Sequence, residues 1–74
     1  MQNILNPVSI TCIGHNDTPD KAATDVDQAI ATAVGVAQSN TDYPNQIQII
    51  PQGMIYDGTT NYTAIATVIY PSNS

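Results

Sequence analysis

The apolar positions of the chain fall into three patterns. From Pro7 to Ile13 (PVSITCI), Val8, Ile10 and Cys12 alternate with Ser9, Thr11 and Ile13. Period two is the repeat of a β-strand, and a proline at its first position is tolerated. From Thr18 to about Gln38 the repeat changes. Ala22, Val26, Ala29, Ile30, Ala33 and Ala37 share one stripe at helical spacing, widened by Ala23 and Val34, with Asp20, Thr24, Gln28 and Ala31 opposite. Thr18-Pro19-Asp20 predicts the helix start. Thr18 caps, Pro19 suits the first helical position, and Asp20 favours the positive end of the dipole. Asp17 is a rival cap one residue earlier. Gly14 to Asp17 reads as the loop entering the helix, and Ser39 to Pro44 as the loop leaving it.

The third pattern runs from Asn45 to Tyr70 and predicts a β-hairpin. Asp57-Gly58 stands between two strand-like runs, the signature of a two-residue type I′ turn. That turn sets a register in which Tyr56 faces Thr59, Met54 faces Asn61, Ile50 faces Ile65, Ile49 faces Ala66 and Ile47 faces Val68. Pro51 and Gly53 interrupt the first strand, and Pro cannot donate to the ladder, so a bulge or bend is expected there. Met1 to Asn6 reads as a flexible or edge-pairing arm and Pro71 to Ser74 as a flexible tail.

Period two divides the hairpin into unlike faces. One gathers Ile47, Ile49, Ala64, Ala66 and Val68, with Tyr62 and Tyr70 at its ends. Its two alanines leave room for the helix. The other gathers Gln46, Gln48, Ile50, Thr63, Ile65, Thr67 and Ile69. A solvated face carries more charge, and a buried one fewer amides. Such a mixture suits a subunit interface or a ligand wall. The plainer reading is a solvated face with a few exposed Ile.

Composition sharpens this picture. The chain has 74 residues, no Phe and no Trp. It reads as one domain (1–74) that must build its core from Ile, Val, Ala and Tyr. Small cores are marginal, and oligomerisation is a common remedy. Cys12 is the only cysteine, which fits a reducing compartment or simple indifference to redox, and it reads as a small buried hydrophobe. All six acids are Asp, Lys21 is the one base, and the formal charge is −5. That balance argues against nucleic acid and against anionic membrane surfaces as partners. Neither a signal peptide nor a run of about 18 apolar residues is evident, so a cytoplasmic location is expected.

Candidate chemistry is sparse. His15, in a loop with Asn16 and Asp17, is a metal ligand or general base on one reading and a merely solvated or hydrogen-bonded loop histidine on the other. It has no partner at ligand spacing. A helix N-terminus attracts anions, but Asp17 and Asp20 already supply negative charge there. Asp25 and Asp27 point to different sides of the helix and make no acid–base pair. Cys12 has no neighbouring base in sequence to activate it. Tyr43, Tyr56, Tyr62 and Tyr70 are either ordinary packing or a stacking surface for a small planar ligand where copies meet.

Two stretches carry a family likeness. VDQAIATA (Val26 to Ala33) resembles the helix of the dodecins, small flavin-binding proteins of β-α-β-β order that assemble into hollow dodecamers. The hairpin is similar too, with glycines at Gly53 and Gly58 and a Tyr-led strand from Tyr62. The likeness covers most of residues 8–70 through short apolar motifs. It implies a homo-oligomer with a flavin site, and on that pattern Tyr43, Asn45, Gln46 and Thr63 become the ligand-binding candidates. Dodecins place a Trp near the start of the second strand and a Gln after the Tyr of the last. Here Tyr43-Pro44-Asn45-Gln46 and Thr63 stand there. The missing Trp counts against flavin and leaves the cofactor unassigned. YTAIATVIY also resembles the last strand of short sporulation-associated and phage-encoded proteins of similar order.

The fold class expected is α+β: β-α-β-β, a three-stranded antiparallel sheet with one helix packed on one face. The function expected is a non-enzymatic homo-oligomer that binds or sequesters a small ligand. The alternative is a structural or protein-interaction subunit, viral or environmental, without one. Gln48, Ile50, Ile65, Thr67 and Ile69 are the interface candidates.

Overall fold

The computed structural model describes residues 6–56, 58 and 61–72. Along the chain come strand β1 (Asn6–Asn16), helix α1 (Pro19–Asn40), a single 3-10 turn (Pro44–Gln46), strand β2 (Gln48–Tyr56) and strand β3 (Tyr62–Ser72). The strands form one antiparallel sheet in the order β1-β3-β2, with α1 on one face. The α+β, β-α-β-β fold read from the sequence is therefore the fold observed. Residues 1–5, most of the expected arm, lie outside the described residues, while Asn6 opens β1. Of the expected tail, Pro71 and Ser72 belong to β3, and 73–74 lie outside.

The helix begins where its cap predicts. Thr18 has extended backbone angles, and its hydroxyl accepts from the Lys21 amide at 3.2 Å. The rival, Asp17, instead makes an exposed ion pair with Lys21 at 3.4 Å, a contact of little energetic weight. At the other end α1 runs past Gln38 to Asn40. The side chains of Ser39 and Asn40 donate back to the carbonyls of Gly35 and Val36. Those bonds add second partners over the last turns, where side chains with turn preference can also serve the helix.

Gly14, His15 and Asn16 are strand, not loop. They pair with Ala64, Thr63 and Tyr62, and the β1–β3 register is unbroken from Asn6↔Ser72 to Asn16↔Tyr62. Gly14 is in this position because α1 crosses the strand there. A Cβ on it would collide with the Ala22 carbonyl and the Val26 amide. Close approach of two backbones, rather than a turn, is what requires glycine here.

The buried core lies between α1 and the facing side of β1 and β3. It comprises Cys12, Ala22, Val26, Ala33, Ala37, Ala64, Ala66, Val68 and Tyr70. The helix takes the alanine-rich face, as the small side chains predict. Thr41, buried just past the helix, accepts from the Tyr43 amide at 3.0 Å and fixes the exit of the chain.

The hairpin register differs from the one a two-residue turn demands. Tyr56 pairs with Tyr62 and not with Thr59, which lies outside the described residues. Gly58 has φ +89, the left-handed conformation expected of it, whereas Asp57 lies outside the described residues. Ile49 pairs with Val68 and Ile50 with Thr67, each two positions further along β3 than predicted. An even slip preserves the faces, so the division into an aliphatic and a mixed side survives up to Pro51. The expected bulge is present between Pro51 and Gly53, with Gly53 at φ +95. Its extra residue inverts the alternation. Met54 and Tyr56 turn to the helix side with Ala64 and Tyr62, and Ile55 turns to the opposite side with Thr63.

Candidate interface

No described element covers the face of the sheet away from α1, and the register lays its side chains out in rows. Directly opposed residues share a face. Ser9, Ile69 and Gln48 form one row, and Thr11, Thr67 and Ile50 the next. Ile13 and Ile65 follow, then His15, Thr63 and Ile55. All five interface candidates, Gln48, Ile50, Ile65, Thr67 and Ile69, stand together here. The structure adds two more, Ile13 (57% exposed) and Ile55 (59% exposed). Ile13 was visible in the alternation of β1, but only the register against β3 seats it beside Ile65. Ile55 required the bulge to be carried through the count of faces.

Polar groups on this face bond to one another across strands. His15 Nδ1 and Thr63 Oγ1 are 2.8 Å apart, and the Thr67 hydroxyl donates to Gln52 Oε1 at 3.3 Å. Among the described residues the face has no Asp and no Lys. Asp17, Asp20, Lys21, Asp25, Asp27 and Asp42 lie on α1, its approach or its exit. Among the described residues Asp and Lys are thus confined to the helix and its flanks, and the open face is a mixture of Ile, Thr, Ser and Gln with His15.

The dodecin-like ligand candidates do not meet within one chain. Tyr43, Asn45 and Gln46 sit in and beside the 3-10 turn that leads into β2, where Gln48 pairs with Ile69. Thr63 is near the far end of β3, roughly 20 Å along the strand from Ile69 at about 3.3 Å per residue. Thr63 is also already bonded to His15. The aromatic pair that does form is Tyr56 with Tyr62 at the hairpin end, ring centroids 4.8 Å apart and tilted by 37°.

A shallow cleft of about 210 Å³ lies at the start of α1, lined by Asn16, Asp20, Lys21, Thr24 and Asp25. The Asn16 amide donates to Asp25 Oδ2 at 3.0 Å, tying the end of β1 to the helix. Among the described residues no group of three or more His, Cys, Asp or Glu is placed to hold a metal ion. No described helix is long and apolar enough to cross a membrane. Comparisons with models of protein families, with curated proteins and with solved structures found no match for this chain.

Proposed function

We propose that this chain is a non-enzymatic subunit that self-associates through the uncovered face of its sheet. The observation that carries the reading is the contiguous set Ile13, Ile50, Ile55, Ile65 and Ile69, with no Asp or Lys among them, on a face that no described element covers. Burying one Ile fully is worth roughly 1.5–3 kcal/mol, against a total stability of about 5–15 kcal/mol for an ordinary domain. A chain whose core is mostly alanine gains much from such burial. The threonines and Gln48 between the isoleucines supply hydrogen bonds across a symmetric contact. A cytoplasmic setting belongs to the same proposal, since Cys12 is a free, buried thiol.

A second reading adds a small planar ligand held between copies, in the manner of the dodecins. The Tyr56 ring, half exposed beside Tyr62, favours it as aromatic surface at the hairpin end. Tyr43 and Thr63 would then meet only across two chains.

Sedimentation of the wild type and of Ile65→Asp at tens of micromolar tests the first reading. Self-association is expected, with a smaller assembly for the variant because a carboxylate buried without a partner is costly. A monomeric wild type, or a variant of unchanged mass, overturns it. Visible absorbance of the same sample tests for a retained flavin.

A further inference from the structure

The sheet has two edges, and only one is defended. Native proteins blunt a free strand edge with proline, a bulge, a charge or brevity, because its unpaired N–H and C=O groups would otherwise recruit another strand. The β2 edge carries Pro51, the bulge before Gly53 and the left-handed backbone of Gly53 itself. Among the described residues the β1 edge has no bulge, no left-handed backbone and no proline past Pro7. Its 11 residues hold no Asp or Lys, and its register against β3 is unbroken. At about 3.3 Å per residue it presents a flat edge of about 36 Å. Its one proline, Pro7, stands next to the end.

We propose that β1 pairs along this edge with β1 of a second copy, antiparallel about a two-fold axis, to give a continuous six-stranded sheet. The proposal rests on the self-association reading and adds a second contact to it. The helices support a second copy as the occupant. Strands lie about 4.8 Å apart and α1 packs on both β1 and β3, so an axis midway between those two strands would lie about half a spacing inside β1. The two-fold lies half a spacing outside β1. The two α1 axes then run about 10 Å apart, within the 8–10 Å at which helices pack.

The flanks that meet are suited to it. The Asn16–Asp25 bond marks the β1 side of the helix, and Ala29, Thr32 and Val36 continue that flank at helical spacing. Ala29 and Thr32 are small, and Val36 is an apolar side chain left 45% exposed. The two-fold also makes the helices antiparallel. Asp20, Asp25 and Asp27 all lie in the first half of α1, and residues 28–40 carry no charge. Each acidic half therefore lies along an uncharged half, and like charges are kept apart.

Edge pairing combined with open-face docking makes the assembly a dimer of dimers or larger. Ile65→Asp should release the faces and leave the edge dimer, so its sedimenting mass should fall to that of a dimer. A fall to monomer overturns edge pairing and leaves the open-face reading standing. Amide exchange of the wild type, followed by NMR, reads the edge without any variant. In a lone sheet alternate β1 amides point off the edge and exchange fast. In the paired sheet every amide from Val8 to Asn16 is protected. Fast exchange at alternate positions overturns the proposal. Full protection together with an unchanged mass for Ile65→Asp upholds it while removing the open-face reading.

Discussion

The two strands of the hairpin have similar sequences and opposite fates. In β3, Ala64, Ala66, Val68 and Tyr70 are buried in strict alternation. In β2 every residue is exposed, although Ile49, Ile50, Met54, Ile55 and Tyr56 are more apolar than much of β3. The pair Ile49 and Val68 makes the contrast sharpest. They face each other on the same side of the sheet, yet Val68 is 0% exposed and Ile49 is 49% exposed. The cause is width. A helix is about 10 Å across and strands are about 4.8 Å apart, so one helix roofs two strands. Here those two are β1 and β3, and β2 lies outside the roof on both faces. Burial in a domain this small is set by the footprint of its single helix, not by the hydrophobicity of the strand. Apolar residues beyond that footprint stay exposed, as Ile49, Ile50, Met54, Ile55 and Tyr56 do.

The strongest test of this contrast uses glycine on each side of it. Gly14 lies under the roof, where α1 leaves no space for a Cβ. Gly14→Ala is expected to cost at least about 3 kcal/mol, the upper range for overpacking, because the obstructing atoms are helix backbone. Urea denaturation checks it. Gly58 lies outside the roof, with nothing within 4 Å of an added Cβ, so a variant there meets only backbone strain at φ +89. Gly58→Val is expected to lose roughly 1–2 kcal/mol, the cost of left-handed backbone for an L-residue. Equal losses at the two sites would show that the helix footprint does not govern them.

The paired positions give the next largest effect. Val68→Ala empties space at the centre of the core and should lower stability by about 2 kcal/mol, at the low end for truncating a buried aliphatic side chain. Ile49→Ala, directly opposite, should change it by less than about 0.5 kcal/mol, as for other exposed sites. Thermal unfolding at one protein concentration compares them under equal conditions. Thr18→Ala, at the cap that starts the roof, should cost about 1 kcal/mol, and the loss should appear as earlier melting of helical circular dichroism.

How much of this was legible depends on whether the signal was local. The Thr18 cap, the alanine stripe of α1 and the alternation of β3 are written in neighbouring residues, and all three stand as predicted. Gly14, His15 and Asn16 are turn-prone residues, so their local signal is a loop. Only the helix crossing at Gly14 and eleven-residue pairing with β3 make them strand. The hairpin register failed for a related reason. Asp57-Gly58 is a strong two-residue turn signal, but the pairing of Tyr56 with Tyr62 sets a longer loop. The Pro51–Gly53 bulge was foreseen as an interruption. Its consequence, the turning of Ile55 to the open face, is a matter of parity that no local residue reports. The candidate interface was legible in its even-slipped half and invisible beyond the bulge.

The smallest expected effect concerns His15, the one titratable side chain described on the open face. Its ring bonds Thr63 at 2.8 Å in an exposed position, at the end of the sheet away from Ile69. An exposed hydrogen bond exchanges one partner for water when it is lost, so little free energy changes. His15→Ala should therefore alter unfolding stability by less than about 0.5 kcal/mol. The same variant should sediment at the wild-type mass, since the isoleucines and the β1 backbone edge remain. A large loss of stability would mean that the open face helps hold the single chain together. The division between a roofed half that holds the fold and an open face that contributes little to it would then fail at this residue.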